Sequence, residues 1–190
     1  FGGTSSHQDP GPDWDWDRYI SLILQYRGQI FEYPFDRVVE ITVDTPVYKS
    51  PEVSSVIEGT AQTGEIYHAV GFCYCGSADF IRIQFSGSES SWVSVDKVRQ
   101  VAGATLVEVE LGDRYDWLNV RDSPGGADLG NLFHGQSFVL VSNGTWDEFW
   151  FAGRPTAVAH ADYVVESIWQ APLPLAPPKV KLAESTLLFG

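Results

Sequence analysis

The sequence predicts a mainly β protein in which two copies of one all-β unit follow a single amphipathic helix. Three observations predict this class: an apolar stripe at helical spacing in residues 13–28, short β-type runs separated by turn residues from about residue 37 to 168, and an internal repeat in that stretch. The chain has 190 residues, of which 44% are hydrophobic. That content is enough for one ordinary domain or two small ones and excludes wholesale disorder.

Residues 13–28 are the one segment with a convincing helical pattern. Its apolar side chains recur on one face of a helix. These side chains are Trp16, Tyr19, Ile20, Ile23 and Leu24. Asp13 is predicted to cap the N-terminus, and Gly28 is predicted to end the helix. A helix of about 16 residues cannot bury such a stripe unaided, so we expect a partner surface for it.

Short β-type runs fill the stretch from about residue 37 to 168. Four of them are 38–43, 80–85, 106–111 and 137–141. Apolar residues alternate with polar ones or follow one another in these runs, and Gly, Ser, Asn, Asp and Pro lie between them. No helical period of useful length occurs there, so the stretch is predicted to be all-β.

Four pairs of short segments recur in one common order within this stretch. The pairs are 47–51 with 120–124, 64–66 with 135–137, 80–83 with 149–152, and 92–98 with 157–164. Four matches in one order indicate two copies of an all-β unit of about 60 residues. The predicted boundaries of the two units are 37–101 and 102–168.

The two ends of the chain differ from the repeats in composition. Residues 1–12 are rich in Gly, Ser, Asp and Pro, which is typical of a loop. Residues 169–190 contain a cluster of prolines and predict an extended, polyproline-like C-terminal tail.

The charge balance excludes several classes of partner. The chain carries 12 Lys and Arg against 25 Asp and Glu, a net charge of −13. Nucleic-acid binding needs clustered basic side chains, and an electrostatic hold on anionic lipid needs them too. No apolar run approaches the roughly 20 residues of a membrane span. Because the sequence begins at Phe1 and contains no Met, we expect a processed or recloned chain from which any export signal has gone.

Cys73 and Cys75 are the two cysteines of the chain, and they lie two residues apart. On a strand they would point to the same face, with Cα atoms roughly 6.5–7 Å apart. That distance is at the edge of disulfide reach. The spacing therefore favours two small thiols packed on a sheet face over a strained disulfide, and a metal site is the least favoured of the three interpretations.

Aromatic and acidic residues of the second unit are the candidate ligand-binding residues. They are Trp117, Trp146, Trp150, Tyr163, Asp116 and Asp147. Trp146 follows the turn signal Asn143-Gly144, which predicts a position near a hairpin tip, where an exposed ring would indicate a function. The same rings could fill a barrel core, and the carboxylates could form a solubilising surface. His68, His134 and His160 are predicted to lie at the surface or rim rather than to act as ligands.

The order of the repeated motifs resembles the bacterial Src-homology-3-like domain, a small β-barrel. The second copy carries the resemblance best, with the motif of residues 118–124, then Trp146, then the closing Asp162-Tyr163-Val164. The first copy departs from the pattern, because Tyr48 replaces the arginine of the motif. The resemblance implies that the two units are small barrels in tandem.

A second resemblance lies in residues 7–16, which read His-Gln-Asp-Pro-Gly-Pro-Asp-Trp-Asp-Trp. This segment resembles the closing segment of zinc-dependent N-acetylmuramoyl-L-alanine amidases. Those enzymes cut the bond between muramic acid and the stem peptide of peptidoglycan. The resemblance implies that Asp9 is a zinc ligand, that His7 assists near the metal, and that residues 1–36 are the amidase's final loop and helix. The histidines completing the site should lie upstream of Phe1. Since a catalytic zinc needs three protein ligands and an open position, we expect no zinc cofactor and no amidase activity in this chain alone.

Together these resemblances imply the wall-binding region of an exported peptidoglycan amidase, located at the bacterial cell envelope. Two linked barrels would raise the effective concentration of a catalytic domain at the wall. The implied partners are peptidoglycan or its stem peptides and the amidase's own N-terminal portion. The alternative is a structural or protein-interaction module that binds a protein partner through its barrels and exposed helix. An enzyme with its site in residues 37–168 has no motif behind it.

Overall fold

The structure of the protein is a computed structural model that describes residues 15, 18–20, 22–23, 32–75, 78–88, 91–113 and 115–168, with the side chains of all of these except 155–158, 167 and 168. Strands dominate the described residues, so the predicted mainly β class is confirmed. The described residues contain no helix long and apolar enough to cross a membrane.

The first unit is a seven-stranded antiparallel sheet that curls round its own core. Its strands are β1 (Glu32–Ile41), β2 (Thr45–Tyr48), β3 (Ile57–Ala61), β4 (Ile66–Cys75), β5 (Ala78–Ile83), β6 (Trp92–Ser94) and β7 (Val98–Gln100). They lie in the order β3-β2-β6-β5-β4-β1-β7, and a 3-10 turn, Val95–Lys97, joins β6 to β7. The core includes Tyr67 and Phe85, whose ring centres are 5.6 Å apart.

The second unit is also a seven-stranded antiparallel sheet with a core of its own. Its strands are β8 (Thr105–Val109), β9 (Leu118–Arg121), β10 (Asp128–Leu132), β11 (Ser137–Ser142), β12 (Trp146–Phe151), β13 (Arg154–His160) and β14 (Val164–Ile168). Their order is β10-β9-β13-β12-β11-β8-β14, and the 3-10 turn Ala161–Tyr163 joins β13 to β14. Adding seven to each strand number of the first sheet reproduces this order, so the two units are copies of one topology.

The glycines of one repeated segment occupy the same turn in both copies. Gly64 has a φ of +90° and Gly135 a φ of +82°, which is the left-handed region that a side chain would strain. Their N–H groups donate to the carbonyls of Ile41 and Val109, the last residues of β1 and β8. The sequence repeat therefore marks a shared backbone requirement rather than a chance resemblance.

One of the four predicted repeat pairs is out of register. Phe80 pairs with Ser94 across β5 and β6, and Trp146 pairs with His160 across β12 and β13, each partner directly preceding a 3-10 turn. The structural counterpart of Phe80 is therefore Trp146, and the predicted match with Phe149 is wrong by three residues. Aromatic residues recur along β12, so matching by residue type alone selected the wrong ring.

Strand β1 begins at Glu32, inside the range that the resemblance assigned to the amidase remnant. Its first residues pair with the distal half of β4. Tyr33 packs on Tyr74 with ring centres 5.8 Å apart, and Phe35 packs on Phe72 at 6.0 Å. These contacts between β1 and β4 extend the first sheet to Glu32.

Helical residues precede the first sheet at positions 18–20 and 22–23. The Asp15 carboxylate accepts from the Arg18 N–H at 2.9 Å, and the Asp15 carbonyl accepts from the Tyr19 N–H at 3.0 Å, so Asp15 acts as a helix cap. The predicted cap Asp13 and the predicted end Gly28 lie outside the described residues, as do Trp16 and Leu24 of the stripe. The described apolar side chains of this segment, Tyr19, Ile20, Leu22 and Ile23, are 38–46% exposed.

Cys73 and Cys75 form a disulfide near the end of β4. The favoured interpretation of two free thiols is wrong, because the Cα atoms are 5.7 Å apart, closer than a regular strand would place them. Cys73 is buried against Phe80 and Trp92. The spacing rule assumes a fully extended strand, and the backbone here does not follow it.

The two units meet through an apolar cluster. Val38 of β1 packs with Leu106 of β8 and Val139 of β11, and all three are buried. The half-buried ring of Trp150 packs against this cluster and also against the core of the first unit. Through Trp150, the contact between the two units is continuous with the hydrophobic core of the first unit.

Polar contacts lie beside this apolar cluster, and we call the whole contact between the two units the joint. His68 Nδ1 lies 2.6 Å from the Ser137 hydroxyl, and its Nε2 lies 2.9 Å from an Asp36 carboxylate oxygen. The Gln136 amide donates to the Gly87 carbonyl at 3.3 Å. His68 is only 9% exposed, so the prediction of a surface or rim position for it is wrong. Burial of His68 arises at the joint, which no local pattern around this residue indicates.

Candidate functional site

A groove of about 370 Å³ opens on the second unit between β9, the end of β13 and the following 3-10 turn. Its aromatic lining residues are Tyr115, Trp117, Trp146 and Tyr163, and its polar ones are Asn119, Arg121, His160 and Asp162. We call it the aromatic groove. The antiparallel pairing of β9 with β13 brings the start of the repeat motif beside its closing Asp-Tyr-Val, which are distant in the sequence.

Four rings of the aromatic groove form a continuous edge-to-face chain. Tyr115 packs on Tyr163 with centres 5.4 Å apart, Tyr163 lies 6.1 Å from His160, and His160 lies 5.2 Å from Trp146. Edge-to-face packing is the favoured arrangement of aromatic pairs. The rings therefore brace one another, and the wall of the groove is formed before any ligand arrives.

Two rings of the groove remain open to solvent. Tyr115 is 52% exposed and Trp117 is 49% exposed. Large aromatic surfaces left in water next to a concavity are typical of binding sites.

Hydrogen bonds order several polar groups of the aromatic groove. The Tyr163 hydroxyl donates to Tyr115, and this hydrogen bond is the main cause that raises the pKa of Tyr163 above its usual value. His160 Nδ1 accepts from the Asp162 N–H at 3.3 Å, so a neutral His160 carries its proton on Nε2. The Arg121 guanidinium donates to the Gly126 carbonyl at 2.8 Å, which fixes it at the edge of the groove.

The structure brings together three of the six predicted ligand-binding residues. Trp117, Trp146 and Tyr163 line the aromatic groove. Trp150 lies instead at the joint between the units. Asp147 is 1% exposed and accepts from the Gly144 N–H at 3.1 Å, so it holds the hairpin turn.

Asp116 is exposed and lies outside the lining of the aromatic groove. The carboxylate of the lining is Asp162, with His160 and Arg121 as further polar groups. Sequence reasoning placed Asp162 and Arg121 within the family motifs but did not assign them to a site. Pairing the two ends of the motif across neighbouring strands would have found both.

The predicted zinc ligand Asp9 and its neighbour His7 lie outside the described residues. Within the ranges that the structure describes, no group of three or more His, Cys, Asp or Glu side chains could hold a metal ion. The assignment of His7 and Asp9 to a zinc centre of a parent amidase stays a prediction.

Comparison with protein-family models and with curated proteins finds no match. Among solved structures, the chain is similar to the CBD of endolysin LysPBC5 at 16% identity and a TM-score of 0.28, covering 70% of this chain and 96% of that one. It is also similar to an autolysin from Listeria monocytogenes (9%, TM-score 0.30) and to NlpC2 from Trichomonas vaginalis (13%, TM-score 0.28). The similarity covers 72% and 75% of this chain but only 64% and 52% of those two. Similarities with such low TM-scores carry no conclusion about this chain.

Proposed function

We propose that this chain binds bacterial peptidoglycan through the aromatic groove, as the non-catalytic wall-targeting region of an exported zinc-dependent amidase. The observation that carries the proposal is the braced chain of rings with a carboxylate, Asp162, beside it. The order of the repeated motifs, which resembles bacterial Src-homology-3-like domains, supports the same assignment, and so does the amidase-like segment at residues 7–16.

The groove's chemistry suits the free amine of a diamino acid in a stem peptide or cross-bridge. An ammonium group is attracted to the faces of Trp and Tyr rings and to a carboxylate. Trp117 supplies an exposed indole, and the Asp162 side chain is 80% exposed. A ligand can therefore reach both side chains without a conformational change.

Pulldown of the full chain with purified sacculi tests the proposal. We expect wild-type protein to bind, and Trp117→Ala and Asp162→Asn each to weaken binding about tenfold, since a cation–π or charge-assisted contact contributes roughly 1–2 kcal/mol. Phe133→Ala is the matched control, because Phe133 is 44% exposed and lies outside the groove. Acetylation of the free amines of the sacculi should reproduce the loss. Unchanged binding by both groove variants would overturn the assignment.

The rival function is a protein-interaction module. The exposed apolar residues of the N-terminal segment, 38–46% accessible, favour it. In that case Tyr19→Ser together with Ile23→Ser should abolish capture of a protein partner and leave sacculus binding unchanged. The reading frame upstream of Phe1 tests the amidase context separately, because a Gly-His pair there would supply one of the histidine ligands that the resemblance implies.

A further inference from the structure

The first unit carries a groove at the position equivalent to the aromatic groove. It lies between β2 and the 3-10 turn Val95–Lys97, the counterparts of β9 and Ala161–Tyr163, and its volume is about 500 Å³. Its polar lining includes Thr45, Asp79, Ser94, Asp96 and Lys97. We call it the first-unit groove.

The two grooves share a carboxylate and differ in the groups around it. Asp96 and Asp162 both occupy the middle position of their 3-10 turns. The residue that follows this carboxylate is Lys97 in the first unit and Tyr163 in the second. The counterpart of the lining residue Trp146 is Phe80, which is only 1% exposed. The first-unit groove therefore keeps the anionic group, and Tyr48 is the one aromatic residue of its lining in place of the chain of rings.

The Asp96 carboxylate already forms an ion pair with an ammonium group of the protein, that of Lys97. Lys97 Nζ lies 2.8 Å from Asp96 Oδ2, and the Ser94 hydroxyl donates to the other carboxylate oxygen. The two charged side chains are 65% and 40% exposed, for Asp96 and Lys97 respectively. Exposed pairs of this kind are weak, so an incoming ammonium can displace Lys97 at small cost.

A second carboxylate faces the same groove. Asp79 lines it from the start of β5 and lies 3.7 Å from the Arg18 guanidinium of the helical segment. The charged groups around the groove are thus two carboxylates, each near a base of the protein itself. These four charges cancel, so the preference for an ammonium group comes from Asp96, whose carboxylate already binds the ammonium of Lys97.

We infer that the first-unit groove is a second subsite for a peptide bearing a free ammonium group, in which Lys97 competes with the ligand for Asp96. The inference rests on the proposed function, which identifies the ligand as peptidoglycan, and it assigns a second contact with the same wall peptide. The contacts of His68, Ser137 and Trp150 fix the two grooves in one arrangement. Two subsites held in this way engage a polymer more tightly than either alone.

The probe is the synthetic tripeptide Nα-acetyl-alanyl-γ-glutamyl-lysine, in which the lysine side chain carries the one ammonium group. It is titrated into the isotope-labelled full chain and followed by NMR. We expect backbone amide shifts at Asp96 and Ser94 in addition to those at Asp162. Lys97→Gln should tighten binding at the first-unit groove about two- to fivefold, the range that loss of an exposed ion pair allows. Asp96→Asn should abolish the shifts there and leave those at Asp162. Lys49→Gln, which removes an exposed charge outside the groove, is the control.

The possible outcomes separate the two proposals. Shifts at Asp162 without any response at Asp96 overturn the second subsite and leave the proposed function standing. A response at Asp96 without one at Asp162 supports the subsite and contradicts the aromatic groove. No response at either carboxylate overturns both. Equal binding of the Nε-acetylated tripeptide overturns ammonium recognition, and unchanged affinity in Lys97→Gln overturns the competition.

Discussion

At the scale of single residues, Tyr67 connects the two units by hydrogen bonds. Its ring is 1% exposed, and its hydroxyl donates to Glu65 at 2.7 Å and accepts from the Gly153 N–H of the second unit. Burial, followed by the bond to Glu65, raises the pKa of Tyr67 well above 10.0. At the equivalent positions the second unit has Phe138 and Gln136, so this charge-assisted contact belongs to the first unit.

Tyr67→Phe should lower the free energy of unfolding by about 1–3 kcal/mol, because the buried Glu65 loses a donor. The pKa of Tyr67 is raised on folding, so its contribution is fully present below pH 10 and is lost as pH rises from 10 towards the raised pKa. Denaturant unfolding at a series of pH values measures this. The difference between wild type and variant should shrink above pH 10. A constant difference would contradict the assignment, and Tyr48→Phe serves as control.

Tyr115→Phe should lower the pKa of Tyr163 towards its usual value, because the hydrogen bond to Tyr115 is the main cause of the rise. NMR titration of tyrosine rings labelled with carbon-13 measures it directly. The pKa of Tyr74, raised mainly by burial at another site, should not change and provides the internal control. An unchanged pKa at Tyr163 would mean that the chain of rings is not joined by this bond.

At the scale of elements, the β4–β5 hairpin is the most distinctive part of the first unit. It carries the disulfide on one side, and on the other side its Phe72 and Tyr74 rings pack on each other and Tyr74 packs on Tyr33 of β1. The Arg18 guanidinium lies 5.2 Å from the centre of the Tyr74 ring, so the helical segment contacts the same hairpin. The hairpin thus joins the N-terminal segment to the first barrel.

Replacing Cys73 and Cys75 together by Ala should lower the free energy of unfolding by only about 1–2 kcal/mol, since a cross-link over two positions restrains little of the unfolded chain. Thermal and denaturant unfolding of variant and wild type measure the loss. Wild-type protein should show no thiol reactive towards a colorimetric reagent until it is reduced. Two reactive thiols in the native, unreduced protein would contradict the disulfide.

At the scale of the whole molecule, the contact between the two similar barrels is packed like a core. Val38, Leu106 and Val139 are all at most 5% exposed, and the Trp150 ring packs against them at the joint. Polar bonds from His68 and Gln136 lie beside it. We therefore expect the two units to unfold together, although each has the topology of a complete sheet.

Trp150→Ala should lower the free energy of unfolding by about 3 kcal/mol and separate the unfolding of the two units into two transitions, because it removes the ring that both share. Calorimetry together with circular dichroism measures both effects. Trp117→Ala is the matched control, since its ring is 49% exposed and its loss should change stability by no more than about 0.5 kcal/mol. A single unshifted transition in Trp150→Ala would contradict the shared joint.

Local sequence patterns were enough to predict the β class, the duplication and the turn glycines, because these follow from periods and backbone requirements that are local to a few residues. Gly64 and Gly135 illustrate this, since each is needed by its own turn. The repeat also located the motif ends that line the aromatic groove.

Which aromatic residues line the groove and which pack between the two units depends on contacts between distant parts of the chain. Trp117 and Trp150 cannot be told apart by their neighbours in sequence, because their environments depend on strands far away in the chain. The same holds for His68, buried by a partner 69 residues distant, and for the disulfide, which depends on a local departure from regular strand geometry. Alternation along a strand assigns a side chain to a face, but what covers that face is decided by packing between the two copies.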